Sequence, residues 1–296
     1  MSRSNDASEL ITKKYKRRSG LGEIFHRLKK NRGAMAGLVI LTLVFLTLLL
    51  SLFISFQSVA ATSASARFEP PSLKYPFGTD DLGRNLFLRV VYGTRYSIAI
   101  GFGVVAIGLF FGVLLGSIAG YFGGSLENII MRISDTMSSV PGMLSAMVIM
   151  TALGQSLTNL IIAMGVTSIP LYLRISRASV LTVRDQEFVE AARAIGLSNF
   201  RIIYTQVLPN GMSPVIISVT TSLGMTIVGA AGLSFIGFGV PAPAPEWGGL
   251  IATGRALLRT APWVTTFPGL AIMLVVLSFN MLGDGLRDAL DPKLKK

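Results

Sequence analysis

Six stretches of this chain run apolar for about the length a bilayer requires, and polar segments of unequal size separate them. A helix crossing a hydrocarbon core needs roughly 20 predominantly apolar residues. The pattern predicts spans over Ala34–Phe56, Ser97–Phe122, Thr136–Leu153, Leu157–Leu173, Met212–Gly237 and Val264–Leu282. The third and fourth are short and form a hairpin over Gly154, Gln155 and Ser156. Pro214 and several glycines fall inside the fifth, which packed membrane helices tolerate. The expected fold class is therefore an all-α integral membrane protein with six transmembrane helices.

Composition agrees with that solvent. Hydrophobic residues make up 51% of the 296, and charged residues only 14%, against about 25% in soluble domains. With no cysteine, the chain has no disulfide, thiolate metal site or cysteine nucleophile. Its single histidine, His26, lies in a basic tail.

Six spans put both ends on one side, and basic residues choose the side. With both termini inside, the inner segments hold 20 of the 27 Lys and Arg residues. The opposing count is concentrated in Arg67, Lys74, Arg84, Arg89 and Arg95, in an outer loop long enough to be translocated as a unit. The net charge of +12 therefore reads as N-in/C-in insertion bias and contact with anionic membrane lipid. A nucleic-acid role is disfavoured, since no aromatic-interleaved basic domain accompanies the charge. The small-residue triplet Ala64-Ser65-Ala66 resembles a signal cleavage site. The apolar run before it is longer than the 7–15 residues or so of a secretory core, which favours an uncleaved anchor. The expected organisation is a basic cytoplasmic tail (1–33), the first span and outer loop (34–96), a transmembrane core (97–285) and a cytoplasmic tail (286–296).

Within the second span Gly108, Gly112, Gly116 and Gly120 recur every four residues and so share a helix face. Bare faces of this kind let another backbone approach closely, the gain coming from packing. No catalytic apparatus accompanies the spans. There is no GxxxxGK[ST] phosphate loop and no HExxH zinc site. The span interiors lack the Asp, Glu, Lys and Arg that mark proton or ion pathways. Such a chain conducts passively or takes its energy from elsewhere. The twelve methionines read as packing residues.

One polar segment between spans four and five is unusually ordered: EFVEAARAIGLSNFRIIYTQVLP, residues 187–209. Phe188, Ala191, Ala192 and Ile195 follow helical spacing as one apolar face. Gly196 supplies a stop, Ser198 an N-cap, and Phe200, Ile203, Tyr204 and Val207 a second face that Pro209 ends. Glu190 and Arg193 are left for polar contacts. Periodicity alone leaves two readings open, a helical loop resting on the membrane surface and a protrusion that docks a partner.

Here the residues carry a resemblance. EAARAIG at 190–196, followed by LP at 208–209, resembles the EAA loop of permease subunits of bacterial binding-protein-dependent ABC importers. FGTDDLGRN (77–85), LRVVYGTRYSIAIG (88–101), GYFGG (120–124), IIMRISD (129–135), LSFIGFGVPAPAPEWG (233–248) and FPGLAIMLVVLSFNMLGDGLRDALDPKLK (267–295) are similar to its dipeptide/oligopeptide/nickel class, C-type. The resemblance covers about residues 30–296. Asn85 stands where the family usually has aspartate, and the stretch between the first span and FGTDD is short.

The resemblance implies a subunit of an ATP-driven importer for short peptides in the bacterial cytoplasmic membrane, with nickel as the alternative cargo. It implies a second homologous permease, two cytoplasmic ATPases and an extracytoplasmic solute-binding protein as partners. The chain itself would hydrolyse nothing and hold no cofactor, ATP and magnesium belonging to the ATPases. Glu190, Ala191, Ala192 and Gly196 would form the coupling helix. Asp80, Asp81, Gly83 and Arg84 read either as turn and cap residues or as contacts to the binding protein. Trp247, in PAPAPEWGG, reads either as an interfacial anchor at headgroup level or as part of an outer gate. From another class, an autonomous channel or carrier would explain the spans and leave the 187–209 segment idle.

Overall fold

Asn31 opens the first long helix. Its side chain accepts a hydrogen bond from the Ala34 amide at 3.1 Å, the usual work of an N-cap. The computed structural model describes residues 20–290, so the expectations for 1–19 and 291–296 lie outside it. Helix α1 covers Gly20–Lys30 and α2 Arg32–Ser51. Then come α3 (Leu86–Phe122), α4 (Gly124–Ser138), α5 (Gly142–Leu153) and α6 (Leu157–Val183). The segment Glu187–Ala194 is α7, and α8 is Asn199–Ile202. Helices α9 (Ser213–Phe235), α10 (Trp247–Gly254) and α11 (Trp263–Leu290) follow, and short helical turns at Phe56–Ala60, Ala64–Ala66 and Arg255–Leu257 lie between the labelled elements.

Among the described residues five helices are long and apolar enough to cross a membrane: α2, α3, α6, α9 and α11. The third expected span, Thr136–Leu153, is not one straight rod. Helices α4 and α5 meet at an 83° bend, where Pro141 withholds the amide that would continue the helix and disfavours helical backbone at Val140. Counted as one bent span, the pair brings the total to six.

The span boundaries differ from the apolar runs in a consistent way. Helix α3 begins eleven residues before Ser97, and α6 continues ten beyond Leu173. A charge criterion stops both runs early because it treats arginine as costly. In the fold most of the arginines there find partners, Arg89 being the one that keeps unmet donors. Arg95 Nε donates to Ser51 Oγ at 2.9 Å while its guanidinium lies 4.2 Å from the Tyr92 ring centre. Arg174 pairs with Asp135 at 3.0 Å, Arg177 pairs with Glu127, and Arg184 Nη1 donates to Gly120 O at 2.7 Å. At 1.5 Å per residue, the 37 residues of α3 span about 55 Å, well beyond a hydrocarbon core of about 30 Å.

The most extensive helix–helix contact is between α3 and α6. A Cβ on Gly112 would lie 2.9 Å from Ile169 O, and one on Gly120 would lie 2.9 Å from Arg177 O. At Gly108 it would run into Ser168 and Tyr172, and at Gly116 into Leu173 O. Helix α6 reciprocates with Gly165, where a Cβ would lie 2.8 Å from Ile107. A hydroxyl pair, Ser117 and Ser176 at 3.2 Å, bridges the seam. Helices α2 and α11 make a second such contact through Gly37, whose Cβ would lie 2.7 Å from Ser278 O.

At the end of the fold where α3 begins, residues 55–85 wrap into a polar cap. Asp80 organises it: Oδ1 accepts from the Leu82 and Arg84 amides at 3.0 and 2.9 Å, and Oδ2 from Arg84 Nε at 2.6 Å. Asp80 and Arg84 are thus buried structural partners, while Asp81 is more exposed. Gly83 takes φ +71°, a conformation that suits glycine. Asn85 caps α3 by accepting from the Leu88 amide, so the change from the family's aspartate keeps the capping function.

Trp247 does not sit as an interfacial ring. It is 2% exposed, and its Nε1 donates to Val90 O at 2.9 Å. The indole reaches a carbonyl inside the fold, so burial leaves no polar group unmet. Beside it Glu246 caps α10, its carboxylate accepting from Gly248, Gly249 and Ser234, each at 2.8 Å. Burial pushes that carboxyl above the usual carboxylate range, while these three donors pull it back.

Candidate functional site

The segment after α6 folds into a small knob. Helix α7 carries two turns and closes with paired bonds: Leu197 N–H to Ala192 O at 3.2 Å, and Gly196 N–H to Arg193 O at 2.9 Å. This is the Schellman arrangement, which requires a left-handed residue between its two donors. Gly196 supplies it at φ +80°. A Cβ there would meet nothing within 4 Å, so glycine is demanded by the backbone and leaves the surface open.

After Gly196 the chain enters α8, and Ser198 makes no side-chain cap bond. Pro209 does not end this stretch. The helix widens into a π turn over Ile203–Val207, in which Leu208 N–H reaches back to Ile203 O, and continues as Leu208–Gly211. A wider turn accommodates a proline that has no amide to contribute.

The apolar stripes that periodicity picks out are split between the two faces of the knob, with Ala192, Ile203 and Val207 buried and the others exposed. Val189, Ala192, Ile202, Ile203 and Val207 bury against Tyr121, Val180 and Val183 at the ends of α3 and α6. Phe188 and Ala191 stay exposed, as do Ile195, Phe200 and Tyr204 at 78%, 72% and 77%. In so short an amphipathic pair both stripes are apolar, and spacing cannot say which one meets the bundle. The result is a knob anchored by one apolar face and presenting another outward. Glu190 lies exposed on α7.

Arg193, expected to make polar contacts, makes one within the chain while remaining exposed. Its guanidinium lies 5.2 Å from the Tyr121 ring centre, and its Nε donates to Tyr121 Oη at 3.2 Å. Tyr121 Oη in turn donates to Asn199 Oδ1 at 3.2 Å. One phenol thus ties both helices of the knob to the last turn of α3, one residue beyond Gly120. Sequence reasoning missed Tyr121; its only signal was its place next to the glycine series. Tyr121→Phe keeps the ring and loses both bonds. At about 1 kcal/mol per net hydrogen bond, amide exchange across 187–205 is expected to quicken severalfold, read by hydrogen–deuterium exchange. Unchanged exchange would mean that the hydroxyl does not hold the knob.

The four positions singled out on the knob are thus placed differently. Ala192 is buried, Glu190 and Ala191 are exposed, and Gly196 makes the turn. Gly108, Gly112, Gly116 and Gly120 line the α3–α6 contact and do not reach the knob surface. Among the described residues, no three His, Cys, Asp or Glu side chains gather to hold a metal.

Comparison with known proteins identifies the family. Residues 112–296 match the family described as binding-protein-dependent transport system inner membrane component. Residues 19–71 match the N-terminal TM domain of oligopeptide transport permease C. The chain is 46% identical over 273 residues to the dipeptide transport system permease protein DppC of Alkalihalophilus pseudofirmus, covering 92% of this chain and 90% of that protein. It is 39% identical over 290 residues to the probable D,D-dipeptide transport system permease protein DdpC of Escherichia coli, covering 98% and 97%. The glutathione transport system permease protein GsiD of Pectobacterium atrosepticum is 38% identical over 268 residues, with 90% and 89% covered. In three dimensions the chain resembles a subunit of the MetNI methionine ABC transporter, with TM-score 0.58, 18% identity, and 70% and 98% of the two chains covered. That likeness concerns the fold alone. It is a multi-pass protein of the inner membrane and a non-catalytic subunit. The chain belongs to the binding-protein-dependent inner membrane component family, as a C-type permease of the dipeptide/oligopeptide/nickel class of ABC importers.

Proposed function

We propose that this permease carries short peptides into the cell, and that the knob of α7 and α8 receives the work of partner ATPases. The observation that carries the coupling reading is the double character of the knob. Its inner face is fastened to the ends of α3 and α6, while Ile195, Phe200 and Tyr204 project outward without cover. An exposed apolar cluster of this kind marks a surface for a partner. A push on it reaches Tyr121, then the glycine seam, where two backbones touch too closely to slide independently. Glu190 is free on the same helix to accept from the ATPase.

In this reading both termini and the knob face the cytosol, as the distribution of basic residues favours. A second homologous permease completes the pathway, two ATPases dock beneath it, and a solute-binding protein delivers cargo from outside. ATP and magnesium stay with the ATPases. The peptide assignment draws on relatives named for dipeptide, D,D-dipeptide and glutathione transport; nickel has less support.

Reconstitution tests the proposal. The permease pair with its ATPases and binding protein is expected to import labelled dipeptide only when ATP is supplied. Equal uptake by this chain alone, without ATPase or binding protein, would instead establish an autonomous carrier. A coupling joint transmits only a difference in contact energy between two states, so weakening the outward face should reduce transport without unfolding the bundle.

A further inference from the structure

Beside the polar cap lies a cavity of about 180 Å³, lined among others by Arg84, Arg89, Gln155, Gly237, Gly239 and Thr253. Its chemistry is unbalanced. Two guanidinium groups face one buried carboxylate, Asp80, and that carboxylate is already committed: two backbone amides hold Oδ1, and Arg84 Nε holds Oδ2. Arg89 comes within 3.4 Å of the same oxygen, yet its Nε and Nη1 make no hydrogen bond, although the residue is only 4% exposed. The neighbouring acids do not answer it. Asp81 lies 3.5 Å from the other arginine and is half exposed, and Glu246 spends its oxygens on α10 and Ser234. Gln155 Nε2 donates to Gly237 O at 2.7 Å.

A buried cation with unmet donors is costly in a protein interior, and a guanidinium fork matches a carboxylate in shape and charge. The remaining lining is small: Gly237, Gly239, Ala242, Ala244 and Gly249 leave space for a backbone-like group. The volume suits one terminal residue. The cavity also lies at the end of the fold that the proposed orientation turns outward, where cargo arrives. We infer that the Arg84–Arg89 cavity is a subsite for the terminal carboxylate of the peptide being imported. This inference rests on the importer reading above.

The test compares uptake of a labelled dipeptide as free acid and as its C-terminal amide, in proteoliposomes holding the complete importer and its binding protein. The wild-type complex is expected to favour the acid. Losing a charge-assisted pair should lower the acid-to-amide ratio by about tenfold in Arg89→Gln. Because Arg89 is also part of the cap, a second variant alters a different lining residue. Thr253 is exposed, and Thr253→Asp places a competing carboxylate in the cavity and should lower the ratio similarly, by about tenfold. An unchanged ratio in Thr253→Asp overturns the subsite, as does equal transport of acid and amide by the wild type. Competition by inorganic phosphate as strong as that by acetate would mark a general anion site and overturn the assignment to peptide termini. Absence of ATP-dependent uptake of either form would sink the importer reading itself, so the two failures are distinguishable.

Discussion

Gly116→Val is expected to abolish accumulation of the folded permease. The first carbon of the new side chain would strike Leu173 O and lie 2.9 Å from Ser176 Cβ and 3.1 Å from Arg177 N. Two of these are backbone atoms of α6, which cannot rotate aside as a side chain can. The helices must part, and with them go the Ser117–Ser176 contact and the packing of Gly112 and Gly120. Overpacking a tight contact costs about 1–3 kcal/mol and sometimes more, a large share of the roughly 5–15 kcal/mol that holds a typical protein together. Membrane-fraction yield and gel filtration of the extracted protein provide the measurement. Gly269→Ala is the control: it sits inside α11 with nothing within 4 Å of the new carbon, and alanine favours helix over glycine. Equal yields of the two variants would show that the α3–α6 seam is looser than its geometry indicates.

Gly196→Val should act differently, removing transport while the protein still assembles. Here the obstacle is conformational. A left-handed backbone costs an L-residue about 1–2 kcal/mol, and a β-branched side chain tolerates it least. The strain falls on the Schellman turn that sets α7 against α8, so the outward face presented by Ile195, Phe200 and Tyr204 loses its shape. Dipeptide uptake by the complete importer is expected to drop at least about tenfold, with permease in the membrane near its normal level. Gly196→Asn separates the causes, because asparagine enters the left-handed region more readily and should retain most of the activity. Normal uptake in the valine variant would remove the turn from the mechanism, whereas loss in both variants would point to crowding at the docking surface.

Much of the bundle was legible from the order of residues. Five of the six apolar runs mark long helices that the fold contains, the run Thr136–Leu153 crossing a bend instead, and the four-residue glycine spacing falls on the face that meets α6. The Gly196 stop is local chemistry, and the structure places a positive φ there. Boundaries were less legible because arginines whose partners lie far along the chain look like interruptions. Arg177 finds Glu127 fifty positions away, and Arg95 finds Ser51 forty-four away. The bend between α4 and α5 was present in Pro141, but a hydropathy window averages across it.

The knob shows where sequence reading stops. Helical spacing identified two short apolar stripes between α6 and α9, but it could not say which of their residues face the bundle: the fold buries Ala192, Ile203 and Val207 and leaves Phe188, Ile195, Phe200 and Tyr204 outside. Tyr121 became visible as the tie only once the end of α3 was brought beside Arg193 and Asn199. The unmet donors of Arg89 likewise emerge only when Asp80, Arg84 and α10 close around it.

By itself, the sequence determined that this chain lives in a bilayer, that it is helical, and which face of α3 is bare, since those properties follow from near-neighbour periodicity and solvent preference. The tertiary structure alone decided which apolar stripe is anchored, where helices end among neutralised charges, and which arginine is left without a complete set of partners. Those outcomes depend on groups distant in the chain meeting in space, and residue spacing carries no record of such meetings.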